Sequence, residues 1–462
     1  MNDFRNYLPA VPRSTVAGIE WPALTNGRAT ALLALLDQFA HSERLAPEEL
    51  LAQQFRQIDG LAAHAYAHAP YWRDRLARAG YRPGGALREV WPSLPVLERA
   101  EVQAQGAALR CAVIPQGHGG TGEVATSGST GMPVRVLKTE LTNLFWEAVT
   151  LRDHLWHGRD FSKVLAGIRW FPDGTAAAPD GESWPDWGAP VSTIYPSGPC
   201  HGLAITATVA QQAAWLARVQ PAYLVLFPSL LPDLIRECAR QGIALSALKE
   251  VRTVGECVDD ATRALCLEAW QVPVHDLYSA QEVGYMTVQC EAGSHHVQAE
   301  TVLLEVLDDA GGECAPGETG RIVVTPLHNF ATPLFRYAVG DYAEVGTVCA
   351  CGRGLPVLTR ILGRARNMLT LPDGGRLWPR LAEMRYHEVL PVRQFQLVQK
   401  TPDALELRLV SDRKGTAAEE ATLQSMITAR LGYPFALTVT YLDAIPRSKS
   451  GKFEDFRSEL ND

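Results

Sequence analysis

VPVHDLYSAQE (272–282) reads as an apolar, β-branched run that breaks into a polar loop. Runs of the same texture recur through the middle of the chain: KVLAGIRWF (163–171), AYLVLF (222–227), VRTVGE (251–256), TVLLEVLD (301–308) and RIVVTPL (321–327). Branched and aromatic side chains fit a pleated, half-buried surface, so each run predicts a strand. Helical segments lie between them, and that alternation predicts an α/β core over residues 120–362. An open α/β sheet binds ligands just past the carboxyl ends of its strands, which makes residues 278–282 a candidate site.

Upstream the texture changes. ATALLALLDQFA (29–40) has apolar residues at helical spacing, and residues 47–80 are rich in Ala, Leu, Gln and Arg. Residues 1–110 are therefore expected to form a helical cap on the core. The stretch 171–190 is rich in Pro, Gly and Asp and predicts a loop, with Trp184 and Trp187 covering the core. Downstream, QFQLVQK, ALELRLV and LTVTYLD predict strands and residues 416–431 a helix. We divide the chain into a large unit, 1–362, a joint at 363–367 and a small α+β unit, 368–462.

At 462 residues the chain is too long for one ordinary core. Apolar residues make up 47% and charged residues 20%, as in a globular protein. Acidic residues outnumber basic ones, 51 to 43, giving a net charge of −8. That balance argues against nucleic acid and anionic membrane as partners. The amino terminus lacks the charged-then-apolar order of a signal peptide, and the run 223–235 is broken by Pro228 and Pro232. Nine cysteines in such a chain point to a reducing, cytoplasmic setting. Cys111, Cys200, Cys238, Cys257, Cys266 and Cys314 stand apart and are expected to be buried small apolar residues.

Four further stretches carry chemistry. In ATSGSTGMPV (125–134), Thr126, Ser127, Gly128, Ser129, Thr130 and Gly131 can cradle polyphosphate oxygens with successive amides and hydroxyls. The order GxxxxGK[ST] of the commonest phosphate loop is absent. IPRSKSGKFEDFRSEL (445–460) places Lys452 after a glycine on an exposed tail. A cation that meets charge building on a reacting phosphate needs such delivery. Finally, QCEAGSHHVQAE (289–300) and VCACGRG (348–354) offer Cys290, His296, Cys349 and Cys351 as a tetrahedral zinc set. His295 is the alternative imidazole; His296 is preferred because it directly precedes a strand. Three unligated cysteines are the plainer reading.

The glycine loop, YSAQE (278–282), RYAVGD (336–341), GRARN (363–367) and the PRxxxGKxxxxR tail occur in an order that resembles the adenylate-forming superfamily. The similarity is greatest to its phenylacetate–coenzyme A ligase branch and spans roughly residues 60–460. The resemblance implies a carboxylic acid activated by ATP to an acyl-adenylate, then transferred to coenzyme A. It implies that Tyr278 and Ser279 lie near the adenine, that Glu282 holds Mg²⁺ and that Asp341 grips the ribose. Arg364 would sit near ribose and phosphate, and Lys452 would serve the α-phosphate from a small unit hinged at Arg366. Three departures from the pattern stand out: Met132 replaces Lys, Gln281 replaces Thr, and Arg366 replaces the hinge Asp.

By position at strand ends, Trp170, Phe227, Ser229 and His275 are expected to wall the acid pocket. The acid implied is aromatic or arylacetic. An amine or a carrier-protein thiol is the alternative acceptor, and a homodimer is left open. Some members of the resembled branch carry Cys and His where this chain has its zinc set. A zinc-stabilised binding module would leave the nucleotide motifs unexplained, and a nucleotide switch would lack its phosphate loop.

Overall fold

The computed structural model describes residues 11–126, 133–364, 367–379, 381, 384, 386–448 and 451–460. Its centre is a sheet of twelve strands. One half is parallel: Leu165–Arg169, Cys200–Ala204, Tyr223–Leu226, Glu250–Val254 and Val274–Ala280. Helices Val209–Val219, Leu231–Gln241 and Asp260–Trp270 intervene between these strands. The helix starts are written locally. Thr208 and Gln211 form a reciprocal cap, and Asp259 accepts from the Thr262 amide. The other half is antiparallel, running through Gly284–Gln289, His295–Val297, Val357–Arg364, Tyr337–Val345, Thr319–Pro326 and Val302–Leu307. The expected strands are thus present, and the fold is α/β.

The parallel strands are covered on both faces. Ala166, Ile168, Leu224, Leu226 and Val251 are fully buried, each large one contributing about 1.5–3 kcal/mol on transfer from water. Strand Glu250–Val254 is buried up to Val254, although two of its residues, Glu250 and Arg252, are charged. Alternate residues share a face, so both charges point together, away from Val251 and Thr253.

The amino-terminal helices Gly27–Ser42, Pro47–His68 and Pro70–Arg78 pack on the large sheet's side of the molecule. Gln54 donates to the carbonyls of Ala299 and Val302, and the Trp72 indole donates to Pro333. Arg336, at the start of RYAVGD, faces this seam rather than the nucleotide motifs. Its φ is +49°, it pairs with Glu305 at 3.0 Å, and it donates to Leu94 at 2.8 Å.

The stretch 171–190 is mostly loop, with a short strand, Glu182–Trp184, added at the sheet edge and one helical turn, Ala189–Ser192. Trp187 is buried, while Trp184 is half-buried. Beyond Arg364 a separate four-stranded sheet forms from Val392–Thr401, Ala404–Ser411, Ala436–Tyr441 and Phe456–Ser458. Helix Ala417–Leu431 closes it over Leu397, Leu407, Leu423, Ile427 and Phe456. Among the described residues no helix is long and apolar enough to cross a membrane.

Candidate active site

Tyr278 lies at the carboxyl end of the last parallel strand, where its phenol donates to Asp341 Oδ2 at 2.7 Å. Burial, then the Asp341 charge, pushes the phenol well above its ordinary pKa, so it remains a donor. Asp341 and Arg364 are register partners on antiparallel strands, and Arg364 Nε lies 3.7 Å from Asp341 Oδ1. A carboxylate held this way at a cleft can accept two further hydroxyl donors.

Glu282 is 4% exposed. Tyr337 donates to its Oε1 at 3.0 Å, and Arg99 approaches the same oxygen at 3.3 Å. Arg99 also donates to Thr126 Oγ1 at 2.8 Å, and Thr126 Oγ1 accepts from the Val134 amide at 2.9 Å. Thr126 therefore ties the glycine loop's entrance and exit to the Glu282 corner; Ser127, Gly128, Ser129, Thr130, Gly131 and Met132 lie outside the described residues. Lys138 is a second cation in this corner. Burial pushes its amine down to about 8, with the Glu282 charge opposing that shift. Sequence reading missed Arg99 and Lys138, because neither lies in a glycine-rich or hydroxyl-rich context.

Lys452 is not on an exposed tail. It is half-buried and lies in the same cleft as Tyr278, Glu282 and Asp341. Burial and then Arg364 lower its pKa, while Asp341, Glu256 and Glu282 pull the other way. Its seat is built by close backbone approach. Gly451 has φ +85°, and a Cβ there would lie 2.9 Å from Ile205 Cδ1. Gly255 has φ +81°, and a Cβ there would lie 2.7 Å from the Phe227 ring. Only glycine meets both demands. Arg447 donates to Ser229 Oγ at 2.7 Å, and the Phe453 amide donates to Glu256 Oε1 at 2.5 Å. These contacts hold the carboxyl-terminal turn against the large sheet. Arg366 lies outside the described residues.

Trp170, Phe227, Ser229 and His275 line one cleft of about 2380 Å³. They are not gathered at one point. Phe227 and Ser229 meet the carboxyl-terminal turn, and Trp170 is 51% exposed. His275 stacks on His157 with centroids 3.9 Å apart and bonds Glu250 at 2.9 Å. Cys257, exposed to this cleft, is not a core residue; Cys200 and Cys314 are half-buried, and Cys111, Cys238 and Cys266 are buried.

Cys290, His296, Cys349 and Cys351 converge, with their donor atoms within 4.8 Å of one another. Cys290 Sγ and Cys349 Sγ are 3.7 Å apart, and Cys351 Sγ lies 3.2 Å from His296 Nε2. Sulfurs on a tetrahedral zinc at ~2.3 Å would be separated by roughly 3.8 Å. The Leu355 carbonyl lies 3.4 Å from His296 Nδ1 and orients the ring. His295, one residue earlier, points to the opposite face, with Nδ1 3.0 Å from Thr287 Oγ1.

Residues 379–458 match the family described as CapK C-terminal domain. Over 390 residues the chain is 26% identical to the phenylacetate-coenzyme A ligase of Thermus thermophilus, covering 79% of this chain and 82% of that one. Among solved structures it is similar to 2-hydroxyisobutyryl-CoA ligase in the postadenylation state with 2-HIB-AMP. The TM-score is 0.72 at 18% identity, over 91% of this chain and 92% of that one. An open conformation of the same ligase, with 2-HIB-AMP and CoA, gives a TM-score of 0.59 at 19% identity, over 91% and 93%. The chain shares the fold of 2-hydroxyisobutyryl-CoA ligase. In sequence the chain is similar to phenylacetate-coenzyme A ligase.

Proposed function

We propose that the protein activates an aromatic or arylacetic acid with ATP to an acyl-adenylate and passes the acyl group to coenzyme A. The observation that carries this reading is the seat of Lys452. The amine enters the cleft beside Asp341, Arg364 and Glu282, although it arrives from a separate sheet. The carboxylate of the acid attacks the α-phosphorus of ATP, a P–O bond forms, and pyrophosphate leaves. Lys452 meets the charge that builds on the phosphate oxygens. Asp341 holds the ribose hydroxyls, Tyr278 and Ser279 flank the base, and Arg364 lies beside ribose and phosphate. Arg99 and Lys138 supply positive charge beside Glu282, where the sequence offers Met132 instead of a lysine. In the second step the coenzyme A thiol attacks the acyl carbon and AMP departs with the electron pair.

Two metals fit the residues present. Both bonds to Glu282 fall on Oε1, so Oε2 takes no partner among the described residues and suits Mg²⁺. Bound there, Mg²⁺ would neutralise phosphate charge. The cluster of Cys290, His296, Cys349 and Cys351 suits a structural zinc. We further propose that the unit from about residue 368 turns about 363–367 between the two steps. Nine free thiols suit a cytoplasmic setting.

The test is pyrophosphate release from ATP with a panel of carboxylic acids, with and without coenzyme A. Release that depends on an aromatic acid, followed by a thioester of matching mass, is expected. No acid-dependent release would overturn the first step. AMP release driven by an amine or a carrier-protein thiol instead of coenzyme A would overturn the second.

A further inference from the structure

Arg252 stands out among the buried charges of the large sheet. It is 6% exposed, yet its one hydrogen-bonding and ionic partner among the described residues is Asp153 Oδ2. Its Nε is buried and has no partner there. A guanidinium carries five N–H donors, and leaving such donors unmet in a low-dielectric interior is costly. The neighbouring Arg159 is different: it donates to Asp153 at 2.7 Å and to both oxygens of Glu250 at 2.9 and 2.5 Å.

Arg252 lines the cleft that also holds Lys452 and Asp341. Trp146, Thr150 and Tyr285 line it with Arg252. Trp146 and Tyr285 are stacked, with centroids 5.7 Å apart and planes 17° apart. Thr150 Oγ1 lies 3.2 Å from Tyr285 Oη. One wall of the cleft is therefore aromatic, and Arg252, held among the described residues by Asp153 alone, lines the cleft beside it. The charge around Arg252 is already balanced. Asp153 and Glu250 face Arg159 and Arg252; burial, then Arg252 and Arg159, holds His154 well below its ordinary pKa, and burial, then Arg159, lowers that of His157. A second anion would upset that balance, whereas a neutral oxygen acceptor would complete it.

We propose that Arg252 determines acid specificity by donating to a neutral oxygen, hydroxyl or carbonyl, carried by an aromatic acid at the end away from its reacting carboxylate. The inference rests on the acid-activating reading above and narrows its substrate class.

Matched pairs of acids test it, each pair differing by one oxygen-bearing group: phenylacetate against its ring-hydroxylated and ring-acetylated forms, and benzoate against the same substitutions. Carboxyphenylacetates supply the anionic comparison. Acid-dependent pyrophosphate release gives kcat/KM for wild type, Arg252→Met and Arg252→Lys. At least one oxygen-bearing acid should exceed its parent by about tenfold to a hundredfold in wild type. That ratio should collapse toward one in Arg252→Met and be partly kept in Arg252→Lys. Each ratio is taken within one protein preparation, so any loss of folded enzyme cancels. An unchanged ratio in Arg252→Met, preference for the unsubstituted acids, or preference for the carboxyphenylacetates would overturn the proposal while leaving acid activation intact. No release with any acid, in wild type, would overturn the functional reading and this inference with it.

Discussion

Asp341 is a carboxylate held at the cleft by two partners. Its Oδ2 takes the Tyr278 phenol, its Oδ1 faces Arg364, and Tyr278 and Arg364 fix it at the cleft. Charge-assisted hydrogen bonds are worth about 1.5–3 kcal/mol each. If Asp341 grips the ribose, Asp341→Ala should raise KM for ATP roughly tenfold to a hundredfold and leave KM for the acid nearly unchanged. Steady-state kinetics with each substrate varied in turn decide the matter, and parallel rises in both constants would mark the residue as structural. Asp341 was legible because a Gly-Asp pair in RYAVGD has a recognisable form. Arg99 was not: its bond to Glu282 crosses 183 positions in sequence, and nothing local marks it.

The cluster of Cys290, His296, Cys349 and Cys351 joins two hairpins, the second of which carries Asp341 and Arg364. Cys290 and His296 belong to the turn and strand after Gly284–Gln289, while Cys349 and Cys351 belong to the loop between Tyr337–Val345 and Val357–Arg364. Asp341 lies on the first of those last two strands and Arg364 ends the second. A metal clamping this corner would hold their register. Protein purified without added metal should contain about one zinc per chain by elemental analysis. Stripping it with a chelator should lower Tm by roughly 3 °C, which corresponds to about 2 kcal/mol in a unit of this size. Cys351→Ser should do the same and raise KM for ATP. Metal-free protein with unchanged Tm and activity would show that the thiols are only neighbours.

The carboxyl-terminal turn meets the large unit at the seat of Lys452, and the proposed reaction would depend on that meeting. Lys452→Ala should slow adenylate formation by about a hundredfold to a thousandfold, the usual worth of a group that meets charge in the transition state. The fold should survive. A lysine whose pKa is lowered in the folded state opposes folding below that pKa, and the penalty fades as pH rises past the unfolded value, so removing the amine takes away a cost at neutral pH. Supplied with synthetic acyl-adenylate and coenzyme A, Lys452→Ala should still release AMP at near the wild-type rate. Rapid-quench measurement of each half-reaction separates the outcomes. Loss of both halves would refute the division of labour, and normal adenylation would refute the lysine's role.

The residue order alone determined the alternating elements, the motif succession and the small carboxyl-terminal sheet. Each depends on local spacing, on turn chemistry or on glycine positions a few residues apart. Only the tertiary structure decided that Lys452 is half-buried, that His296 and not His295 faces the thiols, and that Gly255 and Gly451 admit the tail. It also set Arg252 on Asp153 across 99 positions, from a strand whose charged residues share one buried face. Such pairings follow from how strands are ordered and how long connections close. Local periodicity carries no information about either.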